Sequence, residues 1–432
     1  MARPRTSRIV APLVERLSHR DGAGPLRLQL PGEDTPLREI RPLLLVLGLP
    51  TFGLAFAISV ITTYGPVVLI RLAHSPTAVG ALIGGEGAFA LAIPLVAGAV
   101  SDRLPDSRLG RRAPFVLLGI PFALGGLVLL PVSETVGVAG AAVLAFFVGY
   151  YLYYPPYRAL YPDLLPRALY AGAQAGQAIA RGAGLGIALL AGGLLLGVSR
   201  LLPFLIAAGV LALTTTALYP VLRLQRRDPK EPPEQSGGLR DLVLRNGRMR
   251  TFAAVNGLWE LSFAGMKSFI ILYVVRGLGR SPAIGSAVIA VVAVAYVVGA
   301  PLASWLASRY GLVRVLRVAS LVYGAGLVAG TAAHTLTPLL VGLPVVALAG
   351  ATVLTLPQAL AFTLAPDGSE GAAAGLQDFS RGVGVVLGPV AVGAAVGASH
   401  QLFASTHGYA AMWPVVGLPV LLAALLLRRL DG

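Results

Sequence analysis

The chain alternates between long apolar runs and short polar breaks. Twelve runs follow one another, at about 42–70, 77–100, 113–132, 136–160, 171–198, 201–222, 251–275, 281–307, 312–333, 336–364, 371–398 and 408–427. A helix of roughly 20 residues rises ~30 Å, the thickness of a bilayer's hydrocarbon core, so each run predicts a membrane-spanning helix. The longest internal break, 223–250, contains DPKEPPEQSGG and reads as a linker. It divides the spans six and six. The pattern therefore predicts an all-α membrane protein, with twelve transmembrane helices in two six-helix bundles. Its segments are an N-terminal arm (1–41), a first bundle (42–222), the linker (223–250) and a second bundle (251–432). Within the arm, residues 9–17 suit either a short amphipathic helix at the membrane surface or a disordered tail.

Composition agrees. Hydrophobic residues make up 56% of the chain and charged residues 12%, against about 25% charged in soluble domains. The net charge of +15 would suit nucleic acid if it were gathered on one surface. Instead Arg and Lys fall in the arm, in 103–112, in 223–250, in 309–317 and at 428–429. The breaks on the opposite side hold only Arg71, Arg200, Arg276 and Arg280. This asymmetry places both termini in the cytoplasm and argues against nucleic acid. The chain has no Cys, which excludes disulfide and thiol chemistry.

The two halves repeat. Leu160-Tyr-Pro-Asp163 is answered by Leu364-Ala-Pro-Asp367. Gln177-x-x-x-Arg181-Gly182-x-Gly184 is answered by Gln377-x-x-x-Arg381-Gly382-x-Gly384. Parallel six-helix repeats imply two bundles related by an axis along the membrane normal, with a binding site between them.

The densest cluster of charge between spans is 98–115, GAVSDRLPDSRLGRRAPF. Gly98-x-x-x-Asp102-Arg103 followed by Gly110-Arg111-Arg112 resembles the signature loop of the major facilitator superfamily of transporters. Pro114-Phe115 after it resembles the sucrose–proton and glycoside–cation symporter branch, as does Pro156-x-Arg158-Ala-Leu-x-x-Asp163-Leu164. The resemblance implies alternating access. It also implies a cytoplasmic gate of ion pairs drawn from Asp102, Arg103, Arg111, Arg112, Arg158 and Asp163. The sucrose branch carries an acidic residue in its fourth span. Here 146–154 has none, so the branch's proton-coupling position does not carry over to this chain.

A charge at bilayer depth costs about 2.5 kcal/mol or more, so ionisable residues inside spans are functional candidates. Glu86 lies in the second span, flanked by Gly84-Gly85 and Gly87. Such a carboxyl group, packed against a neighbouring helix, is suited to take up and release a proton. Glu260 and Lys267, two turns apart on one face of the seventh span, leave room for a substrate or a partner helix. Arg181 in the fifth span and Arg381 in the eleventh are repeat equivalents, and Asp378 is the (i, i+3) partner expected for Arg381. Asn256 and Trp259 sit beside Glu260. Tyr150 and Tyr154 share one face of the fourth span, Tyr153 and Tyr157 another.

These readings predict substrate contacts at Asn256, Trp259, Glu260, Lys267, Tyr150, Tyr154 and Gln358, with proton coupling at Glu86 or Glu260. No phosphate-cradling loop ending in Lys-Ser/Thr occurs, and the five His residues lack ligand spacing. No cofactor, metal or enzymatic activity is expected. The chain reads as a monomeric secondary transporter of the plasma or inner membrane. It moves a small organic solute, a sugar or glycoside foremost, by proton symport. A proton-driven exporter of amphipathic compounds is the alternative, followed by a non-transporting or pigment- or lipid-handling protein on the same fold.

Overall fold

The computed structural model describes residues 37–103, 112–164, 170–222, 246–333, 335–366 and 370–430. The first six helices are α1 (Leu37–Ala73), α2 (Pro76–Arg103), α3 (Ala113–Val132), α4 (Val136–Leu164), α5 (Tyr170–Val198) and α6 (Leu202–Leu222). The second six are α7 (Gly247–Leu272, extended by a wide turn Tyr273–Gly277), α8 (Pro282–Tyr310), α9 (Leu312–Ala329), α10 (Leu336–Thr355, continued by Pro357–Leu364), α11 (Glu370–Ala398) and α12 (Met412–Leu427). Among the described residues, eleven helices are long and apolar enough to cross a membrane, and Leu202–Leu218 of α6 adds a shorter apolar helix. The expected helical plan is therefore present. The arm's 9–17 segment and the core of the linker lie outside the described residues.

Local chemistry explains the ends. Asn246 caps α7, its side chain accepting from the N–H groups of Arg248 (3.0 Å) and Met249 (3.2 Å). The tenth span breaks at Leu356 because Pro357 has no N–H to continue the ladder.

Packing repeats between the halves. In the first half α1 lies on α5 and α6, and α3 on α4; in the second, α7 lies on α11 and α12, and α9 on α10. Outward-facing positions such as Leu194, Val198, Val341 and Leu402 are apolar and exposed. Such a surface is costly in water and natural in lipid. The core of the first half holds a polar ladder. Tyr153 reaches Thr215 (3.1 Å), Tyr157 reaches Thr51 (2.8 Å), and the Tyr157 and Tyr161 hydroxyls donate to the carbonyl of Leu47. Tyr153 and Tyr157 are thus structural, tying α4 to α1 and α6.

The halves meet along α2–α11 and α5–α8, with α1 also touching α7. The closest contacts lie at the end distal to the termini. There the Tyr64 hydroxyl donates to the Leu189 carbonyl (2.6 Å) and stands 2.8 Å from Ser286 Oγ, joining α1, α5 and α8. Thr77 on α2 donates to the Gly393 carbonyl on α11 (3.3 Å). Glycines make the approach possible, Gly80, Gly84, Gly87 and Gly393 along α2–α11 and Gly193 at α5–α8. A Cβ at Gly84 would stand 2.7 Å from the Val386 carbonyl oxygen, and one at Gly193 would collide with Ser286. Backbone atoms cannot yield as a flexible side chain can, so small residues are required at this seam.

Gly84→Leu is therefore expected to disfavour distal closure. Overpacking costs about 1–3 kcal/mol, enough to shift a two-state balance roughly tenfold. The absence of native Cys makes Ser286→Cys, at a seam position only 2% exposed, a reporter of opening. A membrane-impermeant maleimide should label it faster when Gly84→Leu is added, and equal rates would show that the seam does not depend on this approach.

Candidate functional site

Below the distal seam, charged side chains from three helices converge. Glu260 and Lys267 project from α7, Glu86 from α2 and Arg381 from α11. Arg381 Nε lies 3.8 Å from Glu260 Oε2. Glu260 also feels the charges of Lys267, Glu86 and Asp378, while Lys267 feels those of Glu86, Arg381 and Glu260. Charges from the neighbouring helices α2 and α11 thus act on both Glu260 and Lys267. Asp378 is a correction. It is exposed, and among the described residues the carboxylate within 4 Å of Arg381 belongs to Glu260, not Asp378.

Helix α4 supplies an aromatic wall to the same place. Tyr150 and Tyr154 stack, with centroids 5.5 Å apart and planes 23° from parallel. The Tyr151 hydroxyl donates to Glu86 Oε1 at 3.4 Å. Tyr150 lies within electrostatic reach of Glu86, Arg181 and Arg381, so it marks where the two halves face each other. Arg181 Nη2 donates to the Tyr154 hydroxyl at 2.7 Å, and the guanidinium groups of Arg158 and Arg181 lie 5.6 and 5.9 Å from that ring's centroid.

Arg181 and Arg381 hold the same register, each eleven residues beyond the first residue of its helix, Tyr170 and Glu370. Both are exposed despite standing inside a span; the Arg381 side chain is 58% accessible and Glu260 17%. Both lie within electrostatic reach of Tyr150 and twelve residues along their helices from the seam glycines Gly193 and Gly393, so their exposure marks a space between the halves on the side away from the distal seam. Water there lowers the cost of their charge.

Several expected contacts fall elsewhere. Trp259 is 1% exposed and its indole N–H donates to Ser320 Oγ (3.1 Å), inside the second half. Asn256, also 1% exposed, donates to the Gln377 carbonyl (3.1 Å) and Ser380 Oγ (2.8 Å), clamping α7 to α11. Both are corrections: their polar atoms already serve helix packing and do not face the space between the halves. Gln358 is exposed on Pro357–Leu364, and no described contact ties it to the cluster. Gln177 is 2% exposed, and its amide finds no partner among the described residues.

Of the expected cytoplasmic gate, Arg158 is exposed near the end of α4, and Arg112 precedes α3. Arg111 and the side chains of Asp102, Arg103 and Asp163 lie outside the described residues. Tyr151 was not among the expected site residues, since no spacing within one helix announces a bond to another. A separate groove of about 840 Å³ lies between α7, α11 and α12. Its lining, Ser380 apart, is apolar (Ala253, Leu261, Leu387 and Leu422 among others), which suits hydrocarbon rather than a polar solute. Among the described residues no cluster of His, Asp or Glu is arranged to hold a metal.

Two repeated sets of six helices thus meet with charged side chains from both sides at their interface. The comparisons give the family. The model described as MFS/sugar transport protein matches residues 47–401, so the chain belongs to that family. It is a multi-pass membrane transporter of the major facilitator fold, not an enzyme. No curated protein matches it. Among solved structures, a bacterial homolog of the human lysosomal transporter Spinster is 16% identical, at a TM-score of 0.73 over 90% of this chain and 98% of that one. A mutant of the nucleoside transporter NupG is 17% identical, with a TM-score of 0.73 over 90% and 100%. The POT family transporter PepTSo is 15% identical, with a TM-score of 0.69 over 90% and 96%.

Trp259→Phe is expected to act on stability alone. It leaves the buried Ser320 hydroxyl unpaired, at a cost of about 1–3 kcal/mol. The melting temperature should fall while solute binding by the folded protein is unchanged. Lost binding at an unaltered melting temperature would return Trp259 to the site.

Proposed function

We propose that the chain is a proton-coupled symporter that moves a small organic solute by alternating access. The observation that carries this reading is the convergence of Glu86, Glu260, Lys267 and Arg381 from both halves on one aqueous space. A carboxylate there can exchange a proton with whichever side is open, and its charge changes the attraction between α7 and α11 as it does so. Glu260 is the first candidate for the proton carrier because its nearest cation, Arg381, belongs to the helix that seals against α2. Glu86 is the second.

A sugar or glycoside is the cargo favoured by the family's description, and the Tyr150–Tyr154 face is suited to stack on a ring. The gate formed by Asp102, Arg103, Arg111, Arg112, Arg158 and Asp163 would close the opposite end when the distal seam opens. On this reading the two bundles are 42–222 and 251–432, joined by the 223–250 linker. The protein is a monomer of the plasma or inner membrane, both termini are cytoplasmic, and no nucleic acid is bound. The apolar groove on α7, α11 and α12 favours a second reading, export of amphipathic compounds, which reverses the direction of net movement.

Uptake driven by an imposed pH gradient in proteoliposomes tests the coupling. Glu260→Gln is expected to abolish accumulation against a gradient, a loss of on the order of 10²-fold or more for an essential proton carrier, while solute exchange between equal concentrations persists. Unchanged pH-driven accumulation in both Glu260→Gln and Glu86→Gln would sink the proposal.

A further inference from the structure

The chemistry of the aqueous space points to the charge of the cargo. Arg181 has a hydroxyl and an aromatic ring as its described partners, and among the described residues no carboxylate lies within 4 Å of it. Arg381 meets Glu260 only through Nε at 3.8 Å, too long for a hydrogen bond. Its side chain is 58% accessible, so its fork of N–H donors faces the space. A guanidinium presents paired donors matched to the two oxygens of a carboxylate.

The neutral groups that a polyol would need are scarce. Asn256 is bound to α11 and Gln177 is buried. The carboxylates of the same space already have partners, Glu260 in Arg381 and Lys267 and Glu86 in Tyr151 and Lys267, whereas Arg181 and Arg381 present two guanidinium forks at matching register, one from each half, beside a stacked pair of rings.

We propose that the transported solute is an organic anion, its carboxylate held between Arg181 and Arg381 and its ring set beside Tyr154, the half-buried member of a stacked pair whose other ring, Tyr150, is buried. This rests on the transporter reading and narrows its substrate class. Such an anion links α5 to α11 across the space between the halves, so its binding draws the halves together there. The shared chemistry fits an acidic sugar or an aromatic acid.

The test uses full-length protein in detergent and two matched pairs of probes: glucuronate with glucose, and 4-hydroxybenzoate with 4-hydroxybenzamide. A ligand that binds the folded state raises the melting temperature. At least one acid is expected to do so and its neutral twin not; which acid identifies the source. Arg181→Gln and Arg381→Gln should each weaken that acid roughly tenfold or more, while Arg200→Gln, in the break after α5, should not. Tyr154→Phe keeps every charge and serves where an arginine variant fails to fold; it should weaken the acid several-fold. Equal stabilisation by acid and twin, binding of glucose alone, or silence from both acids overturns the inference. The transporter reading is judged separately by the pH-driven assay and survives any of these results.

Discussion

A charge at bilayer depth must be paired or wetted, and this chain does both at one place. The Glu260–Arg381 contact crosses from α7 to α11 within the second half, while Glu86 and the tyrosines of α4 approach from the first. Helix α7 alone cannot satisfy its own charges, because Glu260 and Lys267 are two turns apart and too far from each other to pair. The cost of the isolated charges therefore favours assembling α2, α4, α5, α7 and α11 around a common space. The apolar outer surface of each bundle then faces lipid without further requirement.

The distal seam and the charged space depend on each other. At the seam, Gly84 and Gly193 allow backbone approach, and the Tyr64 and Thr77 hydroxyls find acceptors across it. Each is a short-range contact, lost when the helices separate by a few tenths of a nanometre. Contacts of this kind favour a closed or an open arrangement over a graded one. The long-range forces act at the other end of the space, where Arg181 and Arg381 are both exposed. Closing that end brings like charges of Arg181 and Arg381 together, which is unfavourable unless something negative lies between them.

The fold was legible because bilayer thickness writes itself into run length, and the linker and repeats divide the spans evenly. The position of the charged cluster was also legible, since Glu86, Glu260, Lys267, Arg181 and Arg381 are costly wherever they stand. Which neighbours face inward was not. Trp259 stands about 100° around the helix from Glu260 and is received by Ser320, while Asn256, one turn earlier on nearly the same face, is taken up by Ser380 on α11. Asp378 has the right spacing for Arg381, yet the guanidinium leans toward Glu260 on another helix. The tyrosine pairing on α4 followed from helical period: Tyr150 and Tyr154 reach the cluster, Tyr153 and Tyr157 the core. Intrahelical geometry can be read from spacing; interhelical partners are set by packing.

On the proposed reading, one residue serves two ligands. Arg381 faces Glu260 on α7 and the aqueous space on its other side, with Lys267, Glu86 and Asp378 as the other charges around that carboxylate. A proton on Glu260 removes the nearest negative charge from Arg381 and leaves its guanidinium to an incoming carboxylate. Release of that proton restores the competitor and weakens the solute's hold. Proton and anion thus bind cooperatively without touching, through a shared cation, and by linkage each must strengthen the other by the same factor. Carrying both together moves no net charge, so the cycle would respond to the pH gradient and be indifferent to membrane voltage.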